Sequence, residues 1–498
     1  MNKYLLAIDQ GTTSSRAIIF DKNSRIIALA QKEFTQYFPQ AGWVQQDALE
    51  IWQSVVAVMT EVLDKAAIKA EQIAAIGITN QRETTIVWDK KSGQPIYQAI
   101  VWQSRQSKSI CDDLKQRGYS ALIKSKTGLV IDSYFSASKI KWIFDNVRGS
   151  YQKAVAGDLL CGTMDTWLLW QLTKGAVFAT DYSNASRTML YNIYDKCWDK
   201  ELLALFNIPE TMLAEVKDSS TIFGYTDPAL FFGKSIPIAG IAGDQQAALF
   251  GQTCWQAGQA KNTYGTGCFL LMNTKDKAIA SSSGLLTTLA WGINGQVDYA
   301  LEGSVFVAGS AVQWLRDGLQ VIKEAGETEE LAYSSSDDQE VVLVPAFVGL
   351  GAPYWNDEVA GALFGLTRAT SRQHLAKAVL EAIAFQTKDI ILAMEKDANL
   401  RLTYLGVDGG ACANNYLMQF QSDILRVPVE RKAVRETTAL GAAYFAGLAT
   451  AYFSDLAAIK NAIAVEKVFE PLMSQQEAAK KYEKWLMAVK ATCQFKIR

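Results

Sequence analysis

Apolar residues open the chain in three short runs, "YLLAI", "RAIIFD" and "RIIALAQKEF", separated by the polar stretches "DQGTTSS" and "KNS". Short runs broken by turn formers predict consecutive β-hairpins. The period then lengthens. In "DALEIWQSVVAVMTEVLDKAA", Leu49, Trp52, Val55, Val56, Met59 and Val62 recur near helical spacing behind Asp47, a side chain suited to capping a helix N-terminus. "IAAIGITNQ" and "TTIVWD" return to strand character. Strands interleaved with helices predict an α/β chain, a mixed sheet with helices packed on it.

From about residue 250 a comparable order restarts. "QAKNTYGTGCFLLMNT" reads as strand, glycine-threonine turn and strand, and "LTYLGVDGGACANNYLMQFQSDIL" adds a strand, a glycine pair and a helix. A similar turn thus stands in each half, in "IDQGTTSSRAII" and in "TYGTGCFLLM". A chain of 498 residues is also longer than one hydrophobic core supports. Two related lobes, 1–249 and 250–498, facing a shared cleft account for both facts.

Lys and Arg number 49 against 51 Asp and Glu, so no surplus of one sign points to nucleic acid or an anionic membrane, and a small-molecule partner is favoured. No apolar run approaches the roughly 18 residues of a membrane span, and "YLLAI" ends at Asp9, short of a signal-peptide core. A soluble, cytoplasmic protein is expected. The seven cysteines lie far apart with no CxxC, which suits a reducing compartment and argues against a disulfide framework or a zinc site. The single histidine, His374, lies in "SRQHLAKAVLEAIAFQ", which has the form of a helix opening, and a surface position near that helix N-terminus is expected for it. Catalysis should then rest on carboxylates, arginines, backbone donors or a bound cation.

The loops carry the candidate chemistry. In a turn such as Asp9 to Ser14, backbone N–H groups converge, Gly11 permits close approach, and Thr12, Thr13 and Ser14 add hydroxyls without bulk, a concavity suited to phosphate. Asp9 would repel phosphate unless a divalent cation such as Mg²⁺ sat between them. The same residues also suit an ordinary tight hairpin. "PALFFGKS" has Pro228 where a Walker loop needs its first glycine, and no GxGxxG occurs. In "VDGGACANN", Gly409 and Gly410 leave room for a planar base, with Asn414 in reach of its polar edge, or form a plain strand-to-helix turn. Arg82 and Glu83 in "ITNQRETTIVWD", and Asp244 and Gln245 in "PIAGIAGDQQAALFGQ", are polar residues set among apolar ones that suit a polyol, or serve only as an ion pair and a cap.

These segments, with "VWQSRQS", "GTMDTWLLWQLT", "TDYSNASRTML", "LEGSVFVAGSAVQWLRD", "PAFVGLGAPYW" and "ETTALGAAYFAGLA", carry a resemblance along essentially the whole chain. It resembles the FGGY carbohydrate kinases, and within them the branch that phosphorylates glycerol. The resemblance implies a two-lobed, actin-like (ribonuclease H-like) ATPase fold, each lobe a mixed sheet flanked by helices, with a cleft between them. It implies ATP as co-substrate, with phosphate loops at Thr12, Thr13, Ser14 and Arg16 and at Gly265-Thr266-Gly267, further nucleotide contacts at Gly309 and Gln313, and adenosine contacts at Gly410, Ala411 and Asn414. Glycerol hydroxyls are placed against Arg82, Glu83, Tyr134, Asp244 and Gln245, the carbon chain against Trp102 and Phe269, and Mg²⁺ near Asp9 and Asp244.

By the same resemblance Asp244 is the catalytic base, accepting the proton of a primary alcohol as it attacks the γ-phosphorus. The small-residue helices "DQQAALFG" and "ETTALGAAYFAGLA" are expected to cross closely at a hinge, and relatives are commonly homodimers or homotetramers. Relatives inhibited by fructose 1,6-bisphosphate carry an arginine where this chain has Ser235, and those activated by histidine phosphorylation carry that histidine where it has Leu230, so neither control is expected in its usual form. Two other readings stay open: an FGGY kinase for a pentulose or other polyol, whose members differ around "NQRE", and an actin- or Hsp70-like nucleotide switch.

Overall fold

The three N-terminal apolar runs form β1 (Tyr4–Gln10), β2 (Ser14–Phe20) and β3 (Ile26–Glu33), joined as two successive hairpins with Ile8 opposite Ala17 and Ile18 opposite Leu29. The structure is a computed structural model that describes residues 3–231, 233–336 and 340–495. Phe232, inside "PALFFGKS", lies outside the described residues.

The lengthened period gives α1 (Ala48–Ala66), whose N-cap Asp47 accepts from the N–H of Leu49 at 2.8 Å and of Glu50 at 3.2 Å, a cap worth about 1 kcal/mol. Its buried stripe runs through Ile51, Val55, Val58, Met59 and Val62. Leu49, Trp52 and Val56, expected on that stripe, are half-buried at its flank, because the sheet below accepts only one narrow face of the helix.

In chain order there follow β4 (Ile73–Asn80), α2 (Ser136–Asn146), β5 (Ser220–Tyr225), β6 (Pro237–Gly243), α3 (Asp244–Gly251), β7 (Gln259–Tyr264), β8 (Cys268–Lys275), β9 (Leu286–Ile293), β10 (Gln296–Val305) and α4 (Gly309–Gln313). The chain continues with α5 (Arg372–Ala398), β11 (Tyr404–Asp408), α6 (Asn415–Leu425), β12 (Val429–Lys432), α7 (Thr437–Ala449) and β13 (Val465–Phe469).

Among the described residues one 13-stranded sheet runs β13-β12-β11-β7-β8-β10-β9-β5-β6-β4-β1-β2-β3. The first half is ordered β3-β2-β1-β4-β6-β5 and the second β9-β10-β8-β7-β11-β12-β13, and apart from the extra β9 the directions agree: three antiparallel strands, two parallel strands added beside the first of them, and an antiparallel edge. The halves therefore share one pattern of strand directions, although the edge strand precedes its neighbour in the chain in the first half and follows it in the second, and the chain adopts the expected two-lobed, actin-like α/β fold. They meet at β5 and β9 through a single paired position, Ser220 opposite Ile293.

The two small-residue helices do cross. A Cβ on Gly441 of α7 would stand 1.9 Å from the Ala247 carbonyl oxygen of α3, an approach only glycine allows. α7, from the second half, also lies on β4 and β6 of the first, where Gly77 faces the Ala442 carbonyl. The apolar cluster around this crossing takes Leu5, Ile18 and Ala75 from one half and Leu271, Trp291 and Leu440 from the other.

One expectation is corrected. His374 is buried, not at the surface: its Nδ1 accepts from the Ser371 N–H at 3.1 Å and its ring packs within the first turn of α5. A histidine three positions into a helix can turn back to cap it. Among the described residues no helix is long and apolar enough to cross a membrane.

Candidate active site

Three parallel strands, β1, β4 and β6, end side by side, with Asp9 opposite Thr79 and Gly243 opposite Asn80. Carboxyl ends of adjacent parallel strands are where open α/β sheets gather polar loops, and here they deliver Asp9, Arg82 with Glu83, and Asp244. Topology alone thus brings together residues from three distant parts of the sequence.

Asp9 is buried, and Arg16 of β2 donates to it from Nη2 at 2.5 Å while its Nη1 donates to Glu436 at 2.6 Å. Burial raises the Asp9 carboxyl above the ordinary aspartate range against the pull of Arg16, and the charges of Glu436 and Asp244 push the same way. The turn after it is closed by Gly11 N–H to the Ser14 carbonyl at 3.0 Å. Thr12 accepts from the Trp102 indole Nε1 at 3.0 Å, and the Trp102 ring meets Tyr134 edge-on at 5.6 Å between centroids. Thr13 is exposed at the tip, and Ser14 is buried.

Asp244 opens α3 with its side chain 32% exposed. That makes it an accessible carboxylate beside a buried guanidinium: Arg82 Nε stands 3.1 Å from its Oδ1. Gly243 has no side chain because a Cβ there would come within 2.7 Å of Arg82. Arg82 also donates to Glu302 Oε2 at 2.5 Å, to Gln246 at 3.2 Å and, at the 3.5 Å limit, to the Tyr134 hydroxyl. Glu83 does not pair closely with its neighbour: Arg82 Nε lies 4.0 Å away, and Arg187 donates to Glu83 at 2.6 Å instead. Glu83 holds a left-handed backbone, φ 58°, an arrangement that costs on the order of 1–3 kcal/mol and persists where neighbours over-determine it.

Arg187 and Glu302 are site residues the sequence reading missed. Burial alone would raise the Glu302 carboxyl, but Arg187 and Arg82 together hold it down at about 2. Glu83, with one close guanidinium, is raised by burial. The signal was present: a lone acid inside the apolar strand "YALEGSV" demands a buried partner. Lys261, on β7, was missed for the same reason. Lys139 of α2 donates to the carbonyl oxygens of Tyr134 and Phe135, fixing the segment that presents the Tyr134 ring.

In the second half β7 and β11 end together, Thr263 opposite Asp408. The turn Gly265-Thr266-Gly267 is zipped to α4 by Gly309 N–H to the Gly265 carbonyl at 3.0 Å and Ser310 N–H to the Thr266 carbonyl at 3.1 Å, so Gly309 and the exposed Gln313 stand beside it. Gly409 is left-handed, φ 84°, and a Cβ on Gly410 would meet nothing within 4 Å. Ala411 follows in the same short turn. Asn414 is partly committed: its oxygen caps α6 at Leu417 N–H and its nitrogen donates to Thr328 at 3.1 Å. Phe269, on β8, is half-buried. The two halves are linked across the cleft through Arg16 and Glu436, and next to Glu436, within the second half, Thr437 donates to Asp408.

Residues 4–251 match the FGGY family of carbohydrate kinases, N-terminal domain, and residues 260–450 its C-terminal domain. The chain belongs to the FGGY family of carbohydrate kinases. Within it, the chain is 59% identical to the glycerol kinase of Geobacillus kaustophilus (strain HTA426) and 58% to that of Bacillus cereus (strain AH187), each over 496 residues covering 100% of both chains. The structure of Plasmodium falciparum glycerol kinase with ADP superposes with a TM-score of 0.93 at 36% identity, covering 99% of this chain and 98% of that one. A xylulose kinase from Lactobacillus acidophilus shares the fold, TM-score 0.87 at 22% identity.

Proposed function

We propose that the chain phosphorylates glycerol at the expense of ATP, giving sn-glycerol 3-phosphate. The carrying observation is Asp244, an accessible carboxylate at a strand end, 3.1 Å from a buried arginine that also reaches Glu83 and Tyr134, with Gln245 next in the chain. Full-length likeness to glycerol kinases of several bacilli supports the same substrate.

Glycerol lies with its hydroxyls against Arg82, Glu83, Tyr134 and Gln245 and its carbons between Trp102 and Phe269, in the lobe division 1–249 and 250–498. Asp244 accepts the proton of the terminal hydroxyl as the oxygen attacks phosphorus, a role worth roughly 10²- to 10⁴-fold. Holding the two substrates in line contributes on the order of 7 to 11 kcal/mol, so positioning outweighs proton transfer. The nucleotide phosphates rest between Thr12 to Ser14 and Thr266, and the base against Gly410 and Ala411. Asp9 and Asp244 fit a divalent cation, since the Asp244 charge raises the buried Asp9 carboxyl and Arg16 is the guanidinium that offsets it. Mg²⁺ bound there with the phosphates supplies charge neutralisation.

A coupled assay of ADP release with glycerol, xylulose and a panel of other polyols and ketoses tests this. Release that depends on glycerol is expected. A higher kcat/KM on xylulose overturns the substrate, and ATP hydrolysis as fast without any acceptor overturns the transferase in favour of a nucleotide switch.

A further inference from the structure

Lys261 lies in β7 and is fully buried, yet among the described residues no carboxylate pairs with it directly. Its three N–H donors meet three neutral oxygens: the side-chain carbonyl of Gln245, Thr263 Oγ1 at 2.8 Å and the Phe269 carbonyl at 3.1 Å. A buried ammonium is costly unless fully hydrogen-bonded, and this one is. Burial lowers its pKa to about 8, with the more distant Asp408, Asp244 and Glu302 charges holding it up.

Two of the three acceptors belong to residues placed against the polyol, one from each half of the chain. We infer that Lys261 is a positioning residue for polyol recognition, fixing the Gln245 amide so that it offers only N–H donors to the substrate. The chemistry forces the orientation. An ammonium can only donate, so the Gln245 atom facing it is oxygen, and the NH₂ group is left for the ligand. The substrate oxygen at Gln245 is then an acceptor, and its own proton is free for a carboxylate on the other side. Specificity for a hydroxyl-bearing substrate follows, because a carbon lacking that oxygen leaves the amide N–H unpaired.

This inference rests on the reading of Gln245 as a polyol contact, and a double-mutant cycle separates the two. Glycerol and ATP KM, kcat and the urea midpoint are measured for Gln245→Ala, Lys261→Met and the double variant. Gln245→Ala is expected to raise glycerol KM roughly 10- to 100-fold, and Lys261→Met at least about tenfold, as loss of a hydrogen bond to a charged group predicts. ATP KM stays within about threefold, and the double variant is no worse than Gln245→Ala by more than about twofold.

If Gln245→Ala leaves glycerol KM unchanged, the polyol reading of that residue is what fails. If it raises KM but the Lys261→Met effect multiplies with it, or raises ATP KM equally, the role of Lys261 fails. Should Lys261→Met not fold, Gln245→Glu decides: its carboxylate keeps Lys261 paired and the urea midpoint at or above wild type, but it has no donor for the substrate. Glycerol KM must then rise at least as far as in Gln245→Ala, and a wild-type KM overturns the inference.

Discussion

Arg82 and Glu302, 220 residues apart and on opposite halves of the chain, form a buried ion pair with Nη1 2.5 Å from Oε2. Both side chains are 2% exposed, and Arg187 donates to the same carboxylate at 2.9 Å. Removing one member of such a set strands the others without solvent, at about 3–5 kcal/mol. Glu302→Gln should therefore lower the urea unfolding midpoint sharply and raise glycerol KM, since Arg82 loses its anchor. A variant with wild-type midpoint and KM would show that the network holds nothing in place.

Asp244→Asn keeps the shape of the side chain and removes the proton acceptor. Glycerol phosphorylation should fall by roughly 10²-fold or more, while nucleotide binding, followed by calorimetry, stays measurable. Turnover within about tenfold of wild type would remove Asp244 from the role of base.

The glycine pair makes a sharper test of the nucleotide site. Gly410 has open space where a side chain would stand, whereas a Cβ on Gly409 would press within 2.5 Å of the Tyr264 carbonyl in a left-handed backbone. Gly410→Ala should fold with an unchanged melting temperature but raise ATP KM, because the added methyl occupies ligand space. Gly409→Ala should lose stability itself. Equal melting losses in both would mean that the space at Gly410 is not reserved for a ligand.

At the helix crossing, Gly441→Ala forces a methyl into the Ala247 carbonyl at 1.9 Å, and α3 and α7 must separate. Overpacking of this kind costs about 1–3 kcal/mol. α3 begins at Asp244, so kcat should fall with stability, whereas a surface substitution of similar thermodynamic cost would spare it. Chemical unfolding and kcat measured on the same preparations distinguish the two.

Burial pushes the Lys139 amine from 10.5 down to about 7. Below that value both folded and unfolded chains carry the proton. Between about 7 and 10.5 the unfolded chain binds more of it, so this group makes stability rise with pH across that window. The stability of wild type relative to Lys139→Met should accordingly climb between about pH 7 and pH 10 in urea titrations. A flat difference would mean that the amine is not held in a desolvated site.

The strands, the α1 cap at Asp47 and the turn in each half were legible because they depend on local periodicity and turn chemistry. The repeat was visible only as its two turns; the shared pattern of strand directions depends on pairings between distant segments, which no local pattern encodes. Candidate residues on loops, such as Arg82 and Asp244, stood out as polar groups among apolar neighbours. Arg187, Glu302 and Lys261 are buried and take their meaning from partners between 16 and 220 residues away. His374 was misplaced because its burial is decided by Ser371 and Ser336 folding over it, not by its own helix position.

The indole of Trp102 touches Tyr134 with its ring and Thr12 with its nitrogen. On the proposed reading, one side chain thus belongs at once to the wall around the acceptor and to the loop for the donor. Any tilt imposed on it by one occupant is felt by the other, and thermodynamic reciprocity makes the influence equal in both directions: whatever factor glycerol changes nucleotide affinity by, nucleotide must return to glycerol.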